Sequence, residues 1–110
     1  MNLDYYQERV HDTAVYPPEV AQEYLALGLV GEAGEIANKI KKRLRGDFSN
    51  DKDITDLHKF LAMELGDCLW YIAELANELG YSLSTIAIMN IQKLAKRKAT
   101  GKLKGSGDDR

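Results

Sequence analysis

Four carboxylates stand out by their spacing before any element is assigned. Glu32 and Glu35 are three residues apart, and so are Glu64 and Asp67. On a helix, that separation puts both members of a pair on one face within about one turn. Like charges so placed repel, at about 0.2–0.5 kcal/mol per exposed pair. Two such pairs aimed at each other repel more, unless a cation lies between them. Hard divalent cations take carboxylate oxygens, and Mg2+ keeps several waters and leans on substrate phosphates. The pattern therefore predicts a metal site between two helices, with Mg2+ as the expected ion and Mn2+ as a substitute. Either pair alone is weak evidence, because solvated helix faces are rich in glutamate. What adds weight is that both pairs interrupt runs apolar enough to be buried, where unpartnered carboxylates are very costly.

Other polar groups are spaced to complete such a site. Asn90, Lys93 and Arg97 follow one another at i, i+3 and i+7 and form one polar stripe. Lys39 lies one turn beyond Glu35. These four residues are candidates to bind phosphate; Lys39, Lys93 and Arg97 serve equally well as salt-bridge partners for the acids, which is the purely structural alternative. Trp70 and Tyr71 follow Asp67 directly and are candidates to stack on a base, although helical spacing alone makes core or subunit packing the commoner role for an aromatic residue. Gly28, Gly31 and Gly34 put three glycines into seven positions. Each costs about 0.8–1 kcal/mol relative to alanine inside a helix, so either close helix packing or a bulky ligand near the backbone must compensate. Cys68 is the single cysteine. It excludes an internal disulfide and reads as an inert core thiol. Glu8-x-x-His11 has half the pattern of a di-iron site, but His58 follows Thr55 rather than a glutamate. His11 is therefore expected on the surface or at a subunit contact.

The elements that must carry these residues are helices. Apolar periodicity predicts an all-α protein, an antiparallel bundle of four main helices over about 3–14, 18–45, 54–79 and 83–99. Asn2, one of Asp51, Asp53 and Thr55, and Ser82 are available as caps, with Gly46 and Gly80 as stops. Pro17 and Pro18 separate the first two helices. Residues 1–99 form one domain, followed by an expected mobile tail over 100–110. At 110 residues the chain is short for helices of this length. Apolar surface left uncovered predicts a homo-oligomer, either a dimer or a dimer of dimers. Net charge is −2, but seven acids and one base occupy residues 1–38, and seven bases face two acids over 93–110. This asymmetry suits a phosphate held between metal and bases better than nucleic acid, because the basic groups are few and interrupted. No stretch approaches the ~20 apolar residues of a membrane span, and the N-terminus has no signal-peptide pattern. No membrane partner is expected, and the cytoplasm is the expected location.

Taken together, the segments Gly28-Leu-Val-Gly-Glu-Ala-Gly-Glu-Ile36, Glu64-Leu-Gly-Asp-Cys-Leu-Trp-Tyr-Ile-Ala73 and Asn90-x-x-Lys93-Leu94-x-x-Arg97 resemble the MazG-like nucleotide pyrophosphohydrolases of the all-α NTP pyrophosphatase superfamily. The resemblance spans about residues 18–98 and leaves out residues 1–17 and the tail. It implies hydrolysis of a (deoxy)nucleoside triphosphate to monophosphate and pyrophosphate, as in house-cleaning of the nucleotide pool. Glu32, Glu35, Glu64 and Asp67 would hold Mg2+, and Glu35 or Glu32 would orient or deprotonate the water. Asn90, Lys93, Arg97 and Lys39 would take the phosphate chain, with Trp70 and Tyr71 beside the base. Two alternatives remain open: a relative selective for one substrate, such as phosphoribosyl-ATP or dUTP/dCTP, and a helical dimerisation or nucleotide-sensing module without turnover.

Overall fold

A computed structural model describes residues 1–108 of the chain. Asn2 and Asn50 open the helices α1 (Leu3–Val10) and α3 (Asp51–Leu79), their side chains accepting from the amides of Tyr5 and Asp53 at 2.8 Å. Ser82 does the same for α4 (Leu83–Ala99), accepting from the amide of Thr85 at 3.0 Å. These contacts satisfy amide donors that have no partner inside the helix. Between α1 and α2 (Ala21–Leu44) the backbone makes two tight 3-10 turns, His11–Thr13 and Pro18–Val20. Among the described residues there is no β-strand.

Boundaries differ from the periodicity in three places. The first helix stops at Val10 and tightens instead of continuing to 14. The second becomes α-helical only at Ala21, because Pro18 starts a 3-10 turn. The third starts at Asp51, three residues earlier than expected, because Asn50 caps it. Gly80 ends α3 with φ of +79°, a left-handed conformation that glycine adopts without a Cβ penalty.

Packing centres on α2 and α3, which lie along each other. Contacts pair Gly28 with Tyr71, Glu32 with Asp67, and Lys39 with Glu64, so numbers rise along one helix as they fall along the other. α1 crosses α3, and Val10, Ala73, Ala76 and Leu83 form a core there with Tyr6 and Trp70 at its edge. α4 packs on α1 rather than lengthwise along α2 and α3, so one chain by itself does not close the four helices into the expected bundle. Buried Gln7 makes this junction: its Nε2 donates to the Tyr81 carbonyl, and its Oε1 accepts from the Leu83 amide, both at 2.8 Å. Residues 100–108 fall in the expected tail, yet they turn back along α4. Asp108 there accepts from Lys93 Nζ at 2.9 Å and Arg97 Nη2 at 3.0 Å. Asp109 and Arg110, part of the same expected tail, lie outside the described residues.

Candidate active site

The close approach of Tyr71 to α2 determines which residues face each other further along. A Cβ on Gly28 would sit 2.1 Å from Tyr71 Cε1, so only glycine lets that ring lie against the α2 backbone. Close packing therefore accounts for Gly28. Gly31 and Gly34 meet nothing within 4 Å and open onto free space.

One turn beyond Gly28, Glu32 faces α3. One carboxylate oxygen from each of Glu32, Glu64 and Asp67 lies within 4.8 Å of the others. Glu32 and Glu64 are half-buried and Asp67 is exposed. Burial, a hydrogen bond with Glu64, and the charges of Asp67, Glu64 and Glu35 raise the Glu32 carboxyl above its usual range. Three carboxylates this close repel one another and call for compensating positive charge. Lys39 supplies part of it, with Nζ 3.3 Å from Glu64 Oε1. Among the described residues no cation pairs with Glu32 or Asp67. Hard oxygen donors converging with an uncompensated negative charge fit a divalent cation such as Mg2+.

The sequence-predicted residues divide into those gathered here and those held elsewhere. Glu32, Glu64 and Asp67 form the cluster. Glu35 is exposed one turn along α2, outside the close triad but near enough for its charge to act on Glu32. Lys39 touches an acid of the cluster. Trp70 and Tyr71 line a cleft of about 350 Å3 that has Glu32 and Asp67 in its wall. Their rings meet edge to face, with centroids 5.0 Å apart. Burial and the nearby Tyr24, Glu32 and Asp67 push the Tyr71 hydroxyl above its ordinary value. Asn90, Lys93 and Arg97 are not part of this cleft within one chain. Asn90 and Lys93 border a separate cleft of about 330 Å3 with Leu79, Ile86 and Met89. Arg97 is buried on Asp108 and the Gly107 carbonyl, and its Nε has no hydrogen-bond partner.

Cys68 is half-buried, and burial together with Glu32, Glu64 and Asp67 pushes its thiol up, away from the thiolate a nucleophile needs. Sequence periodicity missed Thr13 and Val15, which also line the acidic cleft. They sit between helices, where no repeat marks them. It also missed the burial of Glu74, which helical spacing puts on the polar side of α3.

Residues 20–101 match the MazG nucleotide pyrophosphohydrolase domain. The chain belongs to that family. The match contains all four spaced acids, both aromatic residues and the α4 stripe, and begins after Thr13 and Val15. Among curated proteins, the chain is similar to the "Gene 37 protein" of Mycobacterium phage L5, 48% identical over an alignment of 119 positions that covers 100% of both chains. No solved structure matches the chain. Among the described residues, no helix of this MazG-family chain is long and apolar enough to cross a membrane.

Proposed function

We propose that this MazG-family protein hydrolyses (deoxy)nucleoside triphosphates to monophosphate and pyrophosphate in a Mg2+-dependent reaction. The observation that supports this most strongly is the convergence of Glu32, Glu64 and Asp67 within 4.8 Å, with Lys39 as the one cation paired with them among the described residues. Those three carboxylates, with Glu35 beside them, would hold the metal. A divalent cation bound there supplies neutralisation of phosphate charge and activation of water. Glu35, exposed and one turn from Glu32, is the candidate to orient that water and take its proton. The water oxygen forms a bond to the α-phosphorus, the bond from that phosphorus to the bridging oxygen breaks, and pyrophosphate leaves. Tyr71 and Trp70 border the path from the acids into the cleft.

Asn90, Lys93 and Arg97 carry groups suited to the phosphate chain. We assign them to the acidic cluster of a second protomer in a homodimer or dimer of dimers. Each chain has 8017 Å2 of accessible surface, against about 6,100 Å2 for a compact monomer of this mass. The excess is of the size that an obligate interface covers.

The test is pyrophosphate release from a panel of ordinary and modified (d)NTPs with Mg2+. Release is expected for some members of the panel and is expected to vanish in Glu35→Gln and Asp67→Asn. Unchanged turnover in both variants sinks the site. A nucleotide-sensing module would instead bind Mg2+-nucleotide without forming product, and the same panel identifies a substrate-selective enzyme.

A further inference from the structure

Glu74 is fully buried at 0% exposure, and the reaction proposed above makes no use of it. A buried carboxylate needs partners, and Glu74 finds them on two elements. His11 Nδ1 lies 3.1 Å from Oε2, the Tyr16 hydroxyl donates to Oε2 at 2.9 Å, and Asn77 Nδ2 donates to Oε1 at 2.7 Å. Tyr16 donates to Glu78 as well, and its ring stacks on Tyr24 with centroids 5.7 Å apart. Two residues earlier than the Tyr16 neighbour Val15, Thr13 Oγ1 accepts from Trp70 Nε1 at 2.8 Å. Residues 11–16 are thus strapped onto α3 and α2 at both ends.

Thr13 and Val15 of the strap line the same cleft as Glu32 and Asp67. Val15 stands at its rim, 93% exposed, an apolar side chain with almost nothing packed on it. Tyr24, Trp70 and Tyr71 bring aromatic surface to the same cleft. At about 350 Å3 the cleft is within the roughly 300–1,000 Å3 range of small-ligand sites. The strap also precedes residue 20, where the family match begins. The acids belong to the part shared with the family, whereas Thr13 and Val15 lie outside it.

We propose that residues 13–16 receive the nucleobase end of the substrate, with Val15 against one edge or face and the cleft aromatics against the other, and that Glu74 is the positioning residue that sets the strap. This inference rests on the reading that Glu32 and Asp67 lie at the phosphate end. A triphosphate anchored there would lay its flat base along the cleft: stacking on the aromatic side chains holds any base face, while the polar edge, which differs between bases, meets Val15 and Thr13.

Trp70 is the only tryptophan, so intrinsic fluorescence reports directly on the cleft. Metal-free titration with nucleosides, which lack phosphates, is expected to change Trp70 emission saturably, and Val15→Asp is expected to weaken that binding about fivefold or more. In turnover assays, Val15→Asp and Tyr16→Phe are expected to raise KM unevenly across bases while kcat stays within about twofold, the signature of lost ground-state binding. Glu74→Gln should reproduce the KM pattern, and Tyr16→Phe carries the same test if that variant does not fold. Emission that ignores all nucleosides overturns the proposal, and so does a Val15→Asp effect of equal size for every base. Saturable nucleoside binding without pyrophosphate release would sink the hydrolase reading and leave this one standing. Release with an unshifted base preference would do the reverse.

Discussion

Gly28 and Gly31 lie on the same stretch of α2 and meet different surroundings. Alanine at 28 would drive its methyl into the Tyr71 ring, whose edge lies 2.1 Å from the position of the added Cβ. The ring has to swing away and loses its edge contact with Trp70. Overpacking of this kind costs about 1–3 kcal/mol, which outweighs the gain of about 0.8–1 kcal/mol from replacing a mid-helix glycine. Gly28→Ala should therefore lower the denaturant midpoint. Gly31→Ala, with open space around it, should raise stability by about 0.5–1 kcal/mol. Charge follows a similar logic at Glu32, which burial and three neighbouring acids disfavour as an anion. Glu32→Gln removes that repulsion and should stabilise the metal-free protein by about 0.5 kcal/mol. With saturating Mg2+ the order should invert, because ligand at a hundred times its dissociation constant adds about 2.7 kcal/mol to the protein that binds it. Calorimetric scans of both proteins with and without Mg2+ check this crossing. A variant that keeps the full Mg2+ shift would remove Glu32 from the metal site.

At the scale of elements, the strap between α1 and α2 depends on Tyr16. Burial first, then hydrogen bonds to Glu78 and Glu74 and their charges, raise its hydroxyl well above the ordinary tyrosine value. The sign follows from linkage: stability from a raised folded-state value is fully present below the unfolded value of about 10 and is lost as pH rises through the folded one. Wild type should therefore exceed Tyr16→Phe by about 1–2 kcal/mol near neutrality, and the gap should close progressively above about pH 10. Urea melts across that window measure it. The strap also marks where sequence legibility stopped. Helix existence could be read from the apolar period, and the close triad from the i, i+3 pairs in α2 and α3. Ser82 and Gly80 sit where capping chemistry puts them. Asn50 was hidden among Asp51, Asp53 and Thr55, because several adjacent residues can cap and only backbone geometry selects one. The burial of Glu74 escapes the sequence for a related reason. Helical spacing assigns it the polar side of α3, and its burial follows from partners more than fifty positions away, in a segment with no period of its own.

At the scale of the whole molecule, a single chain is open and leaves apolar side chains uncovered. Its radius of gyration is 17.1 Å, against about 13 Å for a compact domain of this length. Leu27 and Val30 on α2 are 73% and 70% exposed, and Ile88 and Ile91 of α4 are exposed as well. The cations that suit a triphosphate lie on α4, which one chain packs against α1, while the acids lie between α2 and α3. Both facts fit the proposed homodimer, in which a second copy would cover the apolar surface and bring its α4 to the neighbour's acids. Sedimentation should then give a mass above that of one chain, and the melting temperature should rise with protein concentration. Subunit mixing tests the shared site itself. Lys93→Ala and Asp67→Asn should each be inactive alone. Unfolded together and refolded, they should recover about a quarter of wild-type activity, because half of the random dimers are mixed and each mixed dimer has one intact site of two. If cations and acids of the same chain served each site, every site in the mixture would carry one lesion and no activity would return. Recovery near a quarter therefore assigns the phosphate-binding stripe to the neighbouring subunit, and its absence in a confirmed mixed dimer returns it to the same chain.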